Sequence, residues 1–258
     1  MFPAAVGRDD GHMESIAVVA AEVGAPPSAG VSSATGRGRV RNDDAVVCGP
    51  TWFAIADGMG GHADGDIASR VAVHVLGGHP APGSPDDVAA DIQRAHDAVC
   101  AEARRNGAHG MGTTLVVAAP VPGGVAVAHV GDSRCYRLAD GVLTLLTRDH
   151  SYVQELVDLG RVTADDARHH RLRHVVTRAL GIDDAGQPDV SFVATPVGRL
   201  LLCSDGLTAE LSHRTIGRVL AGFDDPQAAA DRLVELATRS ERGDNVTALV
   251  VDHLGDRP

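Results

Sequence analysis

The chain has 258 residues, of which 44% are hydrophobic and 3% aromatic, and its formal net charge is −11. This length and apolar fraction predict one large domain with a sizeable core. The acidic balance argues against a nucleic-acid partner, because little positive surface is left to neutralise phosphates. The sequence contains no apolar run of membrane-spanning length, and its start lacks the basic-then-apolar order of a secretory signal. We therefore expect no membrane association and a cytoplasmic location.

The cysteines support the same location. They lie far apart in the sequence and form no CxxC pair, which disfavours a structural zinc site. We expect buried, reduced thiols at Cys48, Cys100, Cys135 and Cys203.

The N-terminal part of the chain divides into an extension and the beginning of a domain. Residues 1–29 have weak periodicity and are predicted to be a loose extension, followed by a single domain over residues 30–254. A Gly-Pro turn between two short apolar runs predicts a β-hairpin over residues 45–56. Apolar residues at intervals of three and four then predict helices over residues 68–76 and 87–105.

Strands dominate the middle of the chain. Four short apolar runs are predicted as strands, and Asp140-Gly141 between the last two is a strong hairpin turn. After a charged stretch with short helices, one strand, two helices and a final strand are predicted. Strands grouped as hairpins, with helices in separate runs, favour an α+β fold of antiparallel sheets covered by helices. The predicted strands are residues 113–119, 125–130, 135–138, 142–146, 199–203 and 245–251, and the predicted later helices are residues 214–221 and 228–239.

Acidic residues recur where these strands begin or end. A single Asp-Gly after a strand is usually only a turn. Several carboxylates at one sheet edge repel one another unless a cation lies among them. Ligand sets made of oxygen alone suit Mg²⁺ or Mn²⁺. The acidic segments are Asn42-Asp43-Asp44, Asp57-Gly58, Gly131-Asp132-Ser133, Ser204-Asp205-Gly206 and Gly243-Asp244-Asn245.

A run of basic residues beside the first acids offers side chains that could bind phosphate. Two divalent ions that share a carboxylate activate a water and clamp a phosphoryl group for in-line attack. An arginine fork is the expected device for the remaining phosphate oxygens, and Arg37, Arg39 and Arg41 all lie next to the acids. For Arg37 and Arg41 we favour the alternative of a solvated basic loop.

Two other interpretations of the glycine-rich stretch fail on its context. Gly58-Met59-Gly60-Gly61-His62-Ala63 loosely matches a nucleotide-binding fingerprint, but predicted hairpins surround it where that fingerprint requires a βαβ unit. A calcium loop needs Asp or Asn at alternate positions, and Met59 breaks that pattern.

Taken in order, the motifs resemble those of metal-dependent protein phosphatases, and in particular the bacterial type 2C serine/threonine phosphatases. The resemblance covers about residues 30–253; each motif is weak alone, but the ordered set is specific. The motifs are Gly36-x-x-Arg39-x-x-Asn42-Asp43-Asp44, Ala56-Asp57-Gly58-Met59-Gly60-Gly61-His62, Met111-Gly112-Thr113-Thr114, Val130-Gly131-Asp132-Ser133-Arg134, Leu202-Cys203-Ser204-Asp205-Gly206-Leu207 and Gly243-Asp244-Asn245-Val246-Thr247.

The resemblance implies a four-layer α-β-β-α sandwich with two central antiparallel sheets and a binuclear Mn²⁺ or Mg²⁺ centre at one edge. It implies that Asp57 bridges the two ions, that the Gly58 carbonyl ligates one, and that Asp205 and Asp244 complete the other. Asp44 acts directly or through water.

The resemblance further implies a third ion between Asp132 and Asp205, as in many bacterial members. Residues 148–180, called the flap below, correspond to a mobile element over the site, and we expect His174 to face the site from it. Arg39 holds the substrate phosphate.

The chain departs from the family at two positions. Asp43 stands where a longer Glu or Gln is usual, with little effect expected if it acts through water. Met59 stands where animal members have a candidate acid, so another group protonates the leaving oxygen.

The implied function is hydrolysis of phosphoserine and phosphothreonine in proteins by a metal-activated water, without a covalent intermediate. The alternative is a catalytically silent phosphoprotein-binding regulator of the same fold, but such a relative would lack a metal aspartate or the arginine. The implied partners are proteins phosphorylated by a bacterial Ser/Thr kinase, and the implied state is a monomer.

Overall fold

The computed structural model describes residues 17–19, 28–60, 64–182, 187–239 and 243–254. The strands are β1 (Ala17–Val19), β2 (Ala29–Ala34), β3 (Asp44–Cys48), β4 (Phe53–Met59), β5 (Gly112–Thr113), β6 (Leu115–Val121), β7 (Gly124–Val130), β8 (Arg134–Ala139), β9 (Val142–Leu145), β10 (Asp189–Ala194), β11 (Arg199–Cys203) and β12 (Val246–Asp252). The helices are α1 (Asp64–Gly77), α2 (Pro85–Asn106), α3 (Tyr152–Asp158), α4 (Ala164–His169), α5 (Asp205–Glu210), α6 (His213–Gly222) and α7 (Pro226–Ala237).

The strands form two sheets. The first has the order β1-β3-β4-β6-β7-β10, with β5 added beside β4, and the second has the order β2-β12-β11-β8-β9. Every pairing is antiparallel except the parallel pairing of β1 with β3. The predicted α+β class with two central antiparallel sheets is confirmed.

Three apolar cores account for the four layers. Phe53 and Ile55 of β4 pack between the sheets with Leu200 of β11, whereas the alternate residues Ala54 and Ala56 face helices α1 and α2. This division follows from the period of two along a strand, which sends successive side chains to opposite faces. The third core lies between the second sheet and helices α5–α7.

The predicted hairpin, the two early helices, the central strands and the late helices are all present, with ends shifted by a few residues. Sequence patterns did not predict β1, β2, β10 or α5. Strand β2 consists of small residues without a regular apolar alternation. Strand β10 is short, and its alternating apolar residues Val190 and Phe192 are exposed instead of lying in the core. Strand β1 lies within the predicted N-terminal extension, whose remaining residues before Ser28 are outside the described part of the chain. In the described ranges, none of the helices combines the length and the apolarity that crossing a bilayer would take.

The edge strand β2 is held by a side chain. The Gln227 amide of α7 accepts from the Val31 N–H (3.1 Å) and donates to the Val31 carbonyl (2.8 Å). One glutamine thereby satisfies edge groups that would otherwise be open to another chain. The helix approaches so closely at Gly30 that a Cβ there would lie 2.3 Å from the Gln227 Cα.

We expect Gly30→Ala to lower the free energy of unfolding by about 1–3 kcal/mol, because the added methyl group meets helix backbone that can yield only by moving α7. Urea unfolding measures the change. The matched control is Gly222→Ala at the end of α6, where nothing lies within 4 Å of the added Cβ. Equal effects of the two substitutions would contradict the predicted contact.

Candidate metal centre

Two of the predicted site acids face each other across a hairpin. Asp44 begins β3 and Asp57 lies near the end of β4, and the register places them directly opposite one another. Opposite residues in an antiparallel pair project to the same face of the sheet. The Asp44 side chain is almost wholly buried, with the residue 2% exposed.

The second sheet meets the first at Asp44. Its Oδ2 accepts hydrogen bonds from Ser204 Oγ at 3.0 Å and from Thr247 Oγ1 at 2.5 Å. Ser204 is the N-cap residue of α5, directly before Asp205, and Thr247 lies in β12, three residues after Asp244. These two bonds bring the acids of the second sheet beside those of the first.

The five predicted aspartates act on one another electrostatically. Burial, followed by the charges of Asp44, Asp205, Asp132 and Asp244 in that order, raises the pKa of Asp57 well above its ordinary value. Burial and then the Asp205 charge likewise raise the pKa of Asp132. The structure therefore gathers acids from five separate segments into one cluster.

Burial also raises the pKa of Asp44 to about 7, although its bonds to Thr247 and Ser204 act in the opposite direction. Two unit charges 4 Å apart repel by about 4 kcal/mol at an effective dielectric constant of 20. A cluster of this kind is stable as carboxylates only when cations lie among them.

The residues fit a hard divalent cation. Asp44 Oδ1 and Asp43 Oδ1 are buried and have no hydrogen-bond partner among the described residues. Buried carboxylate oxygens are normally satisfied, and a metal ion is one way to satisfy them. The oxygen-rich donor set suits Mn²⁺ or Mg²⁺, in agreement with the sequence analysis.

Gly58 follows Asp57 where the hairpin passes α1. A Cβ on Gly58 would lie 2.0 Å from the Gly65 carbonyl oxygen, so only glycine fits. The Gly58 N–H donates to the Asp43 carbonyl at 3.1 Å, which holds the backbone at this point. The neighbouring His62 of the same motif lies outside the described residues.

Thr114 is a positioning residue to which the sequence analysis gave no role. The Asp57 N–H donates to Thr114 Oγ1 (3.1 Å), and the Thr114 N–H donates to the Asp57 carbonyl (2.9 Å). Thr114 Oγ1 also lies 2.8 Å from Ser133 Oγ, beside Asp132. One threonine therefore fixes Asp57 relative to the Asp132 segment. Its only sequence signal was the motif Met111-Gly112-Thr113-Thr114.

Arg39 lies at the mouth of the cluster. Its Nη2 is 2.7 Å from Asp244 Oδ1, and the two side chains are 49% and 39% exposed, so the guanidinium is accessible from solvent. Arg41 has a longer contact, with Nη1 3.8 Å from Asp66 Oδ2 of α1.

The flap reaches the cluster through His174. His174 Nδ1 is 4.0 Å from Asp205 Oδ2, and the imidazole is half exposed. The flap contains α3 and α4, and its last residues return to the domain through a bridge between Thr113 and Leu180. The structure thus places a flap residue beside a cluster acid.

A second group of possible ligands, His129, His150 and Asp189, contains none of the five aspartates, although His129 lies three residues before Asp132. His129 Nε2 lies 2.8 Å from the Arg148 carbonyl and therefore donates, while His150 Nδ1 accepts from the Gly131 N–H at 3.1 Å. Burial lowers the pKa of His150 to about 4, so the ring is neutral and carries its proton on Nε2.

The remaining ligand of that second group is already paired. Asp189 Oδ1 is bound by Arg178 Nη1 at 3.1 Å. The two imidazole rings stack with centroids 4.5 Å apart and an interplanar angle of 19°, so their lone pairs do not converge. We assign this group a structural role, and the five aspartates remain the candidate metal centre.

The two-sheet fold with an acidic cluster at one edge defines a class of proteins that hold divalent cations there. The chain belongs to the protein phosphatase 2C family, which residues 32–249 match.

Among its relatives, the serine/threonine protein phosphatase PstP of Mycobacterium tuberculosis is 38% identical over 222 residues, which are 83% of this chain and 42% of the relative. The chain thus spans less than half the length of that mycobacterial protein. The serine/threonine phosphatase stp of Listeria monocytogenes is 35% identical over 208 residues, 77% of this chain and 82% of the relative.

A solved structure, the catalytic domain of the serine threonine protein phosphatase PstP in complex with two manganese ions, superposes with a TM-score of 0.79 at 36% identity. The superposition covers 87% of this chain and 96% of that one.

The buried carboxylates give the metal-free protein a defined pH dependence. In the folded chain Asp44 retains its proton up to about pH 7, whereas its ordinary pKa is 3.8, so this residue's contribution to stability falls as the pH rises between those values. We expect Asp44→Asn to melt at least about 3 °C above the wild type in EDTA at pH 8, because it removes one buried charge.

The two melting temperatures are expected to approach each other as the pH falls from 8 and to converge only below about pH 3.8, where Asp44 is protonated in both the folded and the unfolded chain. Differential scanning fluorimetry across this pH range measures both. A difference that stays constant with pH would contradict the assignment.

Proposed function

We propose that this chain is an Mn²⁺- or Mg²⁺-dependent protein phosphatase that hydrolyses phosphoserine and phosphothreonine in proteins. The observation that carries the proposal is the cluster of five mutually repelling aspartates at the junction of the two sheets, in which Asp44 and Asp132 are almost fully buried. The relatives described above bear the names of serine/threonine phosphatases, and one of their structures is described with two manganese ions.

We assign the aspartates as ligands. Asp57, which faces Asp44 and is acted on by the other four aspartates, would hold the ions together with the Gly58 carbonyl. Asp205 and Asp244 would complete the ligand set of the second ion. When bound, the ions supply an activated water and neutralise charge on the phosphoryl oxygens.

Asp44 and Asp132 complete the proposed ligand set. Asp44 is held by Ser204 and Thr247, which leaves its Oδ1 toward a ligand or an ordered water. Asp132, whose pKa responds to Asp205, forms the third-ion pair with that residue.

Two residues at the edge of the acidic cluster are proposed to bind the substrate. Arg39 is permanently charged and half exposed at the mouth, which suits a bidentate contact to non-bridging phosphate oxygens. His174 approaches from the flap and contacts the phosphoprotein. The acids and the arginine are all present, which supports a catalytic protein over a silent phosphoprotein-binding regulator.

The proposed setting is signalling in a bacterial cytoplasm, with phosphoproteins produced by a Ser/Thr kinase as substrates and the chain acting as a monomer. None of the four cysteines, Cys48, Cys100, Cys135 and Cys203, forms a disulfide among the described residues, which fits a reducing compartment.

A phosphothreonine peptide tests the function directly. We expect phosphate release with Mn²⁺ and none above background in EDTA. Asp57→Asn is expected to lower kcat by at least about 100-fold, because it weakens the bridging ligand while preserving shape. Equal rates in EDTA and Mn²⁺ would overturn the proposal.

Substitutions at the rim separate binding from chemistry. Arg39→Ala is expected to raise KM for the peptide and lower kcat/KM by about 10–100-fold, since one charge-assisted contact is lost. His174→Ala is expected to change peptide preference more than kcat for a small aryl phosphate, because the small substrate does not reach the flap. Unchanged kinetics of His174→Ala on both substrates would remove this residue from the site.

A further inference from the structure

We propose that His150 is a positioning residue that couples the flap to Asp132, so that the flap and the third ion are linked. The inference rests on the ion-binding role proposed above for Asp132. It concerns the buried histidine pair that the metal centre does not use.

On one side, His150 holds the residue before Asp132 at two points. Its Nδ1 accepts from the Gly131 N–H at 3.1 Å, and its own N–H donates to the Gly131 carbonyl at 2.9 Å. Both polar backbone groups of Gly131 are thus bonded to a single residue. The position of Gly131 sets where the Asp132 backbone begins.

The Gly131 backbone has little freedom to rearrange if this clamp is lost. Its φ is +107°, and a Cβ there would lie 2.6 Å from Thr114 Cγ2. Thr114 is the residue that holds Asp57 and contacts Ser133. The segment is therefore packed between the Asp57 support on one side and His150 on the other.

On its other side, His150 carries the return arm of the flap. Its carbonyl accepts from the Thr177 N–H at 2.8 Å, and the next residue, Ser151, bridges to Val176. The Tyr152 N–H then donates to the Val175 carbonyl at 2.9 Å. The extended segment that carries His174 is therefore hydrogen-bonded directly to His150, the residue that also binds Gly131.

The imidazole itself is held in one orientation. The His150 side chain is 2% exposed and stacks on His129, and its Nε2 lies 3.3 Å from Asp189 Oδ2 without the geometry of a hydrogen bond. Arg178, a flap residue, binds the same carboxylate group. A ring fixed in this way transmits a displacement of the flap arm to Gly131.

A second contact joins the same two segments. Arg134 binds Asp149 through Nε at 2.8 Å and Nη2 at 2.6 Å, so the residue three positions after Gly131 is joined to the residue before His150. The two segments are therefore joined at Gly131 and at Arg134, and Asp132 lies between these two points.

Two amide substitutions separate the contact between His150 Nδ1 and the Gly131 N–H from the other contacts of His150. His150→Asn keeps an acceptor oxygen at the position of Nδ1, whereas His150→Gln moves its amide to the position of Nε2 and leaves the Gly131 N–H without its acceptor. Calorimetric titration of Mn²⁺ into the EDTA-stripped proteins measures each binding step without turnover.

We expect His150→Gln to weaken the weakest Mn²⁺ step by about 10-fold or more and to leave the tighter steps unchanged, as for other supporting residues of metal ligands. His150→Asn should remain within about twofold of the wild type at every step. Peptide KM should rise with His150→Gln at limiting Mn²⁺ and recover at saturating Mn²⁺. Equal Mn²⁺ affinities of His150→Gln and wild type would overturn the proposal.

The wild-type protein supplies a test that does not depend on a variant folding. Hydrogen exchange at the Thr177 and Tyr152 amides is expected to slow as Mn²⁺ fills the weakest step. Exchange at these amides that is indifferent to this step would also overturn the coupling. The proposed function fails separately, if the wild type binds no Mn²⁺ or releases no phosphate.

Discussion

Mutual repulsion among five clustered carboxylates is the constraint on which the rest of the structure depends. Each aspartate comes from a different segment, and burial together with neighbouring charge raises the pKa of Asp44, Asp57 and Asp132. Left alone, such a cluster favours separation of the two sheets. The sheets stay together because a large apolar core lies between them and because divalent cations suit the space among the oxygens.

The fold resists this repulsion by anchoring the acids through their backbones and through neutral hydroxyls. Thr114 holds the Asp57 backbone, and Ser204 and Thr247 hold Asp44. None of these partners carries charge, so they orient the carboxylates without neutralising them. The charge is left for the ions and, at the rim, for Arg39.

Local patterns in the sequence were enough to predict most of the fold and the acidic residues of the site. The hairpin containing Asp44 and Asp57 was predictable, because a turn between two apolar runs fixes its register. The strand β10 was not, since it is short and its apolar residues Val190 and Phe192 are exposed instead of facing a core. The roles of Thr114 and His150 were also hidden, because they arise from hydrogen bonds between residues 57 and 19 positions apart. Tertiary contacts of this kind produce no periodic pattern of residue types in the local sequence.

The hydrogen bond from Thr177 to the His150 carbonyl has a thermodynamic consequence. Coupling free energies are reciprocal. If binding of the third ion raises the affinity of the flap for a phosphoprotein by some factor, binding of that phosphoprotein raises the affinity for the ion by the same factor. On this view the supply of divalent cation in the cell sets which substrates the protein retains as well as how fast it turns them over. A shortage of the ion would act first on the substrates that depend most on the flap.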